Sequence, residues 1–251
     1  MQVFIALARR ELAGFFLSMA GYSVMAAALF QIGLSFVILL SKFSDGNPTP
    51  LPITELFFST QFFWFILLLV PPIITMRLFA REKATGTFES LMTTPVGDLQ
   101  VVLAKFAAAM VFYMIVWAPL IPCIFIVRFY THDAAPLDYG AVAGTFLGIG
   151  LLGSLFIAGG CLSSALTNSQ VTAAITSFAL GLGLFIVSFL VDRMPVSKDW
   201  SVQLLNCMAM YAHMEDFARG IVDTRSVVYY LSGTAFLLCL THRVLEGRRW
   251  R

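Results

Sequence analysis

The chain has 251 residues, of which 59% are hydrophobic and 12% are charged, and its mean hydropathy is +0.86. Soluble domains carry about twice that charged fraction, so the composition excludes an ordinary water-soluble protein and predicts an integral membrane protein. The net charge of +2, without a basic arm, argues against a nucleic-acid partner.

The N-terminal residues 1–16 predict a helix that lies in the membrane interface. Val3, Phe4, Leu7 and Ala8 recur at helical spacing ahead of a short charged segment. An amphipathic leader without a specific role is the alternative. A cleaved signal peptide is disfavoured, because the apolar run that follows exceeds the usual core of about 7–15 residues.

Apolar windows of about 20 residues predict six transmembrane spans. Backbone groups in hydrocarbon need hydrogen-bond partners within their own segment, so each span must be a helix. We expect Pro71 and Pro72 to bend the second span, and Pro119 and Pro122 the third. The predicted fold is an all-α polytopic membrane protein, with spans at 21–40, 56–78, 101–127, 141–162, 171–191 and 227–243.

Most of the 16 Lys and Arg residues fall at the ends of the spans that share a side with both termini. By the positive-inside rule, both termini are predicted to be cytoplasmic. On the other side, residues 192–225 form a long mixed loop, predicted to hold short helices near the outer leaflet. The fourth span begins with Gly140, Gly144 and Gly148, a small-residue face that lets another helix approach closely, within the chain or in a second copy.

The spans contain almost no ionisable groups. Lys105 lies near the inner end of the third span, but no carboxylate or histidine falls at mid-membrane depth, which disfavours an ion-coupled transporter. The sequence holds no P-loop, no H-E-x-x-H and no G-x-S-x-G motif, and its four cysteines form no C-x-x-C pair. We therefore expect no catalytic site, no metal and no cofactor in this chain, and a source of energy outside it.

The connection between the second and third spans, residues 80–98, carries the most patterned segment. Phe88, Leu91 and Met92 fall at i, i+3 and i+4, with Glu89 off that stripe, which predicts a short amphipathic helix. Gly86 and Thr87 suit its entrance, Pro95 and Gly97 its end, and Asp98 is predicted to cap the third span. Such a helix can insert into a groove on a soluble partner; a solvated loop resting on its own bundle is the alternative.

Residues 82–98, EKATGTFESLMTTPVGD, followed by VLAKF at 102–106, closely resemble the E-x-x-x-G-T-x-E-x-L-x-x-x-P loop of ABC-2 type permeases. Three further segments resemble the gliding-motility-type branch of that family: SSALTNSQ at 163–170, MEDFARGIVDTR at 214–225 and LEGRRWR at 245–251. The resemblance covers essentially the whole chain. It implies a membrane subunit of an ATP-driven exporter, with residues 1–16 as the family's interfacial connecting helix.

The resemblance also implies residue roles. The loop around Glu215, Asp216 and Arg219 corresponds to the family's extracellular half-helices, a gate or a contact with an extracytoplasmic partner. Local charge pairing that fixes a helix end is the alternative. The implied ATPase-coupling residues are Arg81, Glu82, Lys83, Gly86, Thr87, Phe88, Glu89, Leu91, Met92 and Pro95.

The implied partners are cytoplasmic ABC ATPase subunits, which hold ATP and Mg, together with membrane lipid and a second permease. That permease is either another copy of this chain or a different chain with a large extracytoplasmic domain. The implied location is the bacterial inner membrane. Two other functions remain open: a non-transporting scaffold of an envelope or gliding-motility assembly, and a passive channel, which leaves the patterned loop unexplained.

Overall fold

The computed structural model describes residues 2–44, 53–58, 60–86, 97–131, 138–192 and 208–249, and these contain helices and no strand. Six helices are long and apolar enough to cross a membrane, which confirms the predicted all-α fold with six spans. They are Met19–Ser41, Gln61–Ala84, Asp98–Ile126, Tyr139–Leu166, Gln170–Val191 and Thr224–Gly247.

We number the helices of the described residues in chain order. They are α1 (Gln2–Phe16), α2 (Met19–Ser44), α3 (Ile53–Phe58), α4 (Gln61–Thr75), α5 (Ala80–Ala84), α6 (Asp98–Trp117), α7 (Leu120–Thr131), α8 (Tyr139–Leu166), α9 (Gln170–Asp192), α10 (Met210–Ala218) and α11 (Thr224–Arg249).

The second span begins at Gln61 rather than at residue 56, because residues 53–58 form the separate helix α3. Thr60 lies at the break between the two helices. Its hydroxyl donates to the carbonyl of Phe57 at 2.6 Å and lies 2.6 Å from the hydroxyl of Ser35 on α2. These contacts hold the chain at the break, and α3 therefore lies beside α2 instead of extending α4.

The third span is interrupted where prolines were predicted to bend it. Helix α6 ends at Trp117 and α7 begins at Leu120, on either side of Pro119, which has no N–H to donate to the preceding turn. In the second span, Pro71 and Pro72 lie inside α4, and the hydroxyl of Thr75 donates to the carbonyl of Pro71 at 2.8 Å.

Helix α8 is the centre of the bundle and contacts α4, α6, α9, α10 and α11. Its glycines allow close approach: a Cβ on Gly153 would meet the ring of Tyr113 at 2.1 Å, and one on Gly160 would meet the Thr75 hydroxyl at 2.1 Å. We call the bundle end with α1 and α5 the α1 end, and the opposite end, with α3 and α10, the α3 end.

Helix α1 matches the predicted segment 1–16. It packs against the bundle at the α1 end, chiefly on α6. The ring of Phe15 stacks on Phe112 with centroids 5.0 Å apart, and Phe16 meets the same ring edge-on at 5.4 Å. The predicted apolar stripe began at Val3, but Val3 is 49% exposed, and the packed side chains include Leu7 and Leu12.

Candidate functional site

The short helix α5 opens the patterned loop and is held by the end of α8. The N–H groups of Phe79 and Ala80 donate to the hydroxyl oxygen of Ser164 at 3.1 and 3.0 Å. The first N–H groups of a helix have no partner within the helix, so Ser164 acts as a cap supplied by another span. Ser164 is fully buried, and water does not compete for these bonds.

The other end of α5 is also fixed. The ammonium of Lys83 donates to the carbonyl of Ala165 on α8 in a close contact. Gly86 has φ of +72°, a left-handed conformation that favours glycine and commonly ends helices. Gly86 therefore lies just past the end of α5, and the helix whose entrance it was predicted to form lies outside the described residues.

A charged cluster joins three segments at the α1 end, and we call it the Lys105 cluster: Arg10 and Glu11 of α1, Glu82 of α5, and Lys105 of α6. The ammonium of Lys105 lies 3.1 Å from Glu11 Oε1 and 2.9 Å from Glu82 Oε1. The guanidinium of Arg10 lies 3.0 and 3.5 Å from the same two oxygens. Two cations therefore face two carboxylates.

The side chain of Lys105 is only 3% exposed, so its charge depends on these carboxylates for stabilisation. Its ammonium also lies 5.4 Å from the centroid of the Phe79 ring, just before α5, in a cation–π contact. The carboxylate side chains of Glu11 and Glu82 keep 18% exposure. The cluster thus ties α1, α5 and α6 through one buried positive charge.

The structure describes only part of the predicted ATPase-coupling set. Glu82, Lys83 and Gly86 have the positions given above, and Arg81 is exposed on α5. Asp98 is the first residue of α6, and Gly97 is its N-cap, so the predicted cap is one residue too late. The remaining coupling residues lie outside the described residues: Thr87, Phe88, Glu89, Leu91, Met92 and Pro95.

At the α3 end, an ion pair joins α3 to the end of α10. The guanidinium of Arg219 donates to both oxygens of Glu55, at 3.1 and 2.9 Å, and makes a close contact with Glu215 one turn earlier. Glu55 is 6% exposed, and beside it the hydroxyl of Thr54 donates to the Ala218 carbonyl at 2.7 Å. Asp216, the third predicted residue, accepts from the N–H of Ile221 through its backbone carbonyl at 2.8 Å.

The glycine face of α8 lies under α10. A Cβ on Gly144 would meet the Phe217 carbonyl oxygen at 2.4 Å, and one on Gly148 would meet the Phe217 ring at 2.9 Å. Gly140 lies beside Asp138, whose carboxylate accepts from the Gly140 N–H at 2.7 Å and caps α8. Among the described residues, the atoms nearest to Gly144 and Gly148 therefore belong to α10 and to the turn that follows it.

A family model described as an ABC-2 family transporter protein matches residues 38–240. This chain belongs to that family. It is a multi-pass permease component of an ABC transporter. The match includes α5, Lys105, Ser164 and Arg219, and it begins after α1. A search of curated proteins finds no significant match.

Four residues that organise the two ends of this ABC-2 permease were not singled out from the sequence as site residues: Glu11, Glu55, Ser164 and Lys105. Lys105 was noted as a lone cation near the end of a span, and that position was itself a signal, since such a charge needs a partner. Ser164 lay within a resembling segment. Nothing in the spacing of Glu11 and Glu55 indicated their partners, which are distant in the chain.

Proposed function

We propose that this ABC-2 permease couples ATP hydrolysis by a separate cytoplasmic ATPase to the movement of a substrate across or out of the membrane. The α1 end, with both termini, faces the cytoplasm of a bacterial cell. The supporting observation is the anchoring of α5, through which the loop at 80–98 is joined to α1, α6 and α8 by the Lys105 cluster and Ser164.

The anchoring explains how a force on the loop would move the bundle. Breaking the Lys105 cluster would leave a buried charge without its partners, and withdrawing α5 from Ser164 would leave buried N–H groups unpaired; both are costly. A displacement of α5 is therefore less costly when α1, α6 and α8 move with it. A partner that pushes α5 thus shifts several helices together.

The sequence supplies the surface for that partner. The stripe of Phe88, Leu91 and Met92 follows α5 directly and is suited to a groove on a soluble protein. In this proposal the ATPase holds ATP and Mg, this chain binds no cofactor, and a second permease completes the complex. The resemblance to the gliding-motility-type branch supports a second permease that is either this chain again or a different chain with an extracytoplasmic domain.

Co-purification with the separately encoded ATPase tests the docking assignment. In the double variant Phe88→Asp/Glu89→Lys, the apolar stripe and its flanking charge are both altered, so we expect the amount of bound ATPase to fall at least tenfold. A charge reversal at the same end but outside the loop, Glu246→Lys, should leave it within twofold. Unchanged association of the double variant would refute docking at this loop.

Reconstitution distinguishes transport from a scaffold role. Proteoliposomes that contain the permease and its ATPase should hydrolyse ATP faster when the substrate is supplied, because substrate binding and hydrolysis are linked in a transporter. Hydrolysis that does not respond to any candidate substrate, with the ATPase still bound, would instead support a membrane anchor of an envelope or gliding-motility assembly.

A further inference from the structure

A row of exposed apolar side chains on α4 leads to an arginine. Phe65, Leu69 and Ile73 are 50%, 40% and 37% exposed, and they follow one another at four-residue intervals. Residues at this spacing form a ridge along a helix surface. Arg77 continues the same spacing just after α4 ends, at the α1 end. The ridge therefore runs through the hydrocarbon layer and ends in a cation near the headgroups.

Arg77 lies in a crevice between the α1–α2 corner and the end of α4. The crevice is lined by Arg77 together with Phe15, Ser18, Gly21, Ile73 and Phe112. Arg77 is half-buried, and among the described residues it has no ion pair and no side-chain hydrogen bond. Several other cations at this end have partners, since Lys105 and Arg10 bind carboxylates and Lys83 binds a carbonyl, whereas Arg9 and Arg81 are exposed to their surroundings. Arg77 is thus an uncompensated charge in a partly desolvated position.

The crevice interior holds only about 10 Å³, roughly the space of one water, so we propose that an anionic phospholipid of the leaflet at the α1 end binds across its mouth, against Arg77. The phosphate accepts hydrogen bonds from the Arg77 guanidinium, whose planar fork fits two phosphate oxygens. One acyl chain lies along Ile73, Leu69 and Phe65, which are exposed at the depth where hydrocarbon is the solvent. A juxtamembrane cation attracts anionic lipid over zwitterionic lipid, which sets the headgroup class.

A second copy of the chain fits this face less well than a lipid does. Two copies in one membrane share an orientation, and a twofold contact would place the same surface of each opposite the other. The two Arg77 guanidinium groups would then lie at the same depth within one contact that brings in no new carboxylate beside them, and like charges repel. An anionic phospholipid supplies both groups that this surface lacks: a negative headgroup beside Arg77 and an acyl chain along the apolar ridge.

Lipid binding by the purified full chain tests the proposal. Delipidated protein in a neutral detergent is titrated with short-chain phosphatidylglycerol, with phosphatidylcholine of the same chain length, and with inorganic phosphate, and bound lipid is counted by native mass spectrometry. We expect phosphatidylglycerol to bind at least tenfold more tightly than the other two. Arg77→Gln should lower that affinity at least tenfold, and Arg77→Lys by less.

Arg9→Gln is the matched control, because it removes one exposed positive charge at the same end, outside the crevice. It should change the affinity less than twofold. Ile73→Ser, which keeps Arg77, should weaken phosphatidylglycerol binding and not phosphate binding, which also keeps the test valid if Arg77→Gln folds poorly.

Three results would overturn the proposal. Equal losses in Arg9→Gln and Arg77→Gln would show general charge attraction without a site. Inorganic phosphate binding as tightly as the lipid would show a free-anion site. Efficient cross-linking of two Leu69→Cys copies, unaffected by added phosphatidylglycerol, would show that a second copy covers the ridge.

Discussion

At the scale of single residues, the two fully buried charges among the described residues, Lys105 and Glu55, lie at opposite ends of the bundle, and each has a partner. Lys105 is 3% exposed and faces two carboxylates from other helices, while Glu55 is 6% exposed and faces Arg219. The sequence suggested spans almost empty of charge. Lys105 is an exception in charge, but its ammonium is paired with Glu11 of α1 and Glu82 of α5, which cover it near the start of α6.

Lys105→Met tests the cluster. Removing the ammonium leaves Glu11 and Glu82 facing each other with only Arg10 between them, and loss of one partner of a buried ion pair costs about 3–5 kcal/mol. Because both carboxylates keep some solvent contact, we expect the lower value, about 3 kcal/mol, in reversible unfolding in mixed micelles. The triple variant with Glu11→Gln and Glu82→Gln should recover part of the loss, since no charge is then left unpaired. A triple variant with a lower free energy of unfolding than Lys105→Met would contradict this account.

His213 on α10 predicts a response to pH at the α3 end. Its ring Nδ1 lies 3.2 Å from the Tyr230 hydroxyl, and burial lowers the pKa of His213, although Asp216 and Asp223 oppose that shift. A His with a lowered pKa in the folded state binds protons more weakly there than in the unfolded chain. Acidification through the unfolded value of about 6.5 therefore favours unfolding.

We expect the free energy of unfolding to fall between pH 7.5 and 5.5, and the fall is limited because the ring is partly solvated. In His213→Gln that decrease should be smaller, and thermal unfolding at the two pH values measures it. A decrease of the same size in both proteins would assign the response to other groups.

At the scale of elements, two helices shorter than a span are positioned by the central helix α8. At the α1 end, α5 takes its cap from Ser164, and at the α3 end, α10 rests on Gly144 and Gly148. Both contacts depend on small side chains of α8. The sequence indicated a close-packing face at these glycines, and its partner is a short amphipathic helix from the long loop after α9.

Gly144→Ala tests the α8–α10 contact. Its new Cβ would lie 2.4 Å from a backbone oxygen, so the helices must separate, and overpacking of this kind costs about 1–3 kcal/mol. Gly150→Ala, on the same helix, is the control: the nearest atom lies at 3.8 Å, and alanine favours helix by up to about 1 kcal/mol. We expect the thermal midpoint to fall in the first variant and to stay or rise in the second. Equal midpoints would show that α10 adjusts freely.

At the scale of the whole molecule, a group of ion pairs joins neighbouring helices at each end of an apolar bundle. The Lys105 cluster joins α1, α5 and α6, and Arg219 joins α3 to α10, which rests on α8. Because α8 contacts both α5, through Ser164, and α10, it connects the two ends directly. A shift of α8 at one end therefore reaches the other through one continuous helix.

Arg219→Gln should loosen the α3 end without unfolding the bundle. Thr54 is 3% exposed beside this ion pair, so a Thr54→Cys reporter should react slowly with a membrane-impermeant maleimide, and faster once Arg219 is replaced. Glu55→Gln should have the same effect, and the double variant should add little, because both changes remove one interaction. An unchanged labelling rate would show that α3 stays in place without the ion pair.

The sequence predicted the helices well because hydrocarbon imposes length and polarity limits that can be counted along the chain. The start of the second span was misplaced because residues 53–58 are largely apolar, and the break is visible only in the structure, where the Thr60 hydroxyl contacts Phe57 and Ser35. Of the candidate site, the sequence indicated the loop at 80–98 and the charges of 215–219. It missed Glu11 and Glu55, whose partners lie far away in the chain.

By itself, the sequence determined the membrane class, the six spans and the resemblance of one loop to ABC-2 permeases, since these depend on hydropathy and local motifs. The tertiary structure alone decided that Lys105 meets Glu11 and Glu82, that Ser164 caps α5, and that Arg219 reaches Glu55. These contacts join residues on different helices, and the distances between them depend on how the helices pack. Local pattern identifies which residues need a partner, and packing decides which partner they meet.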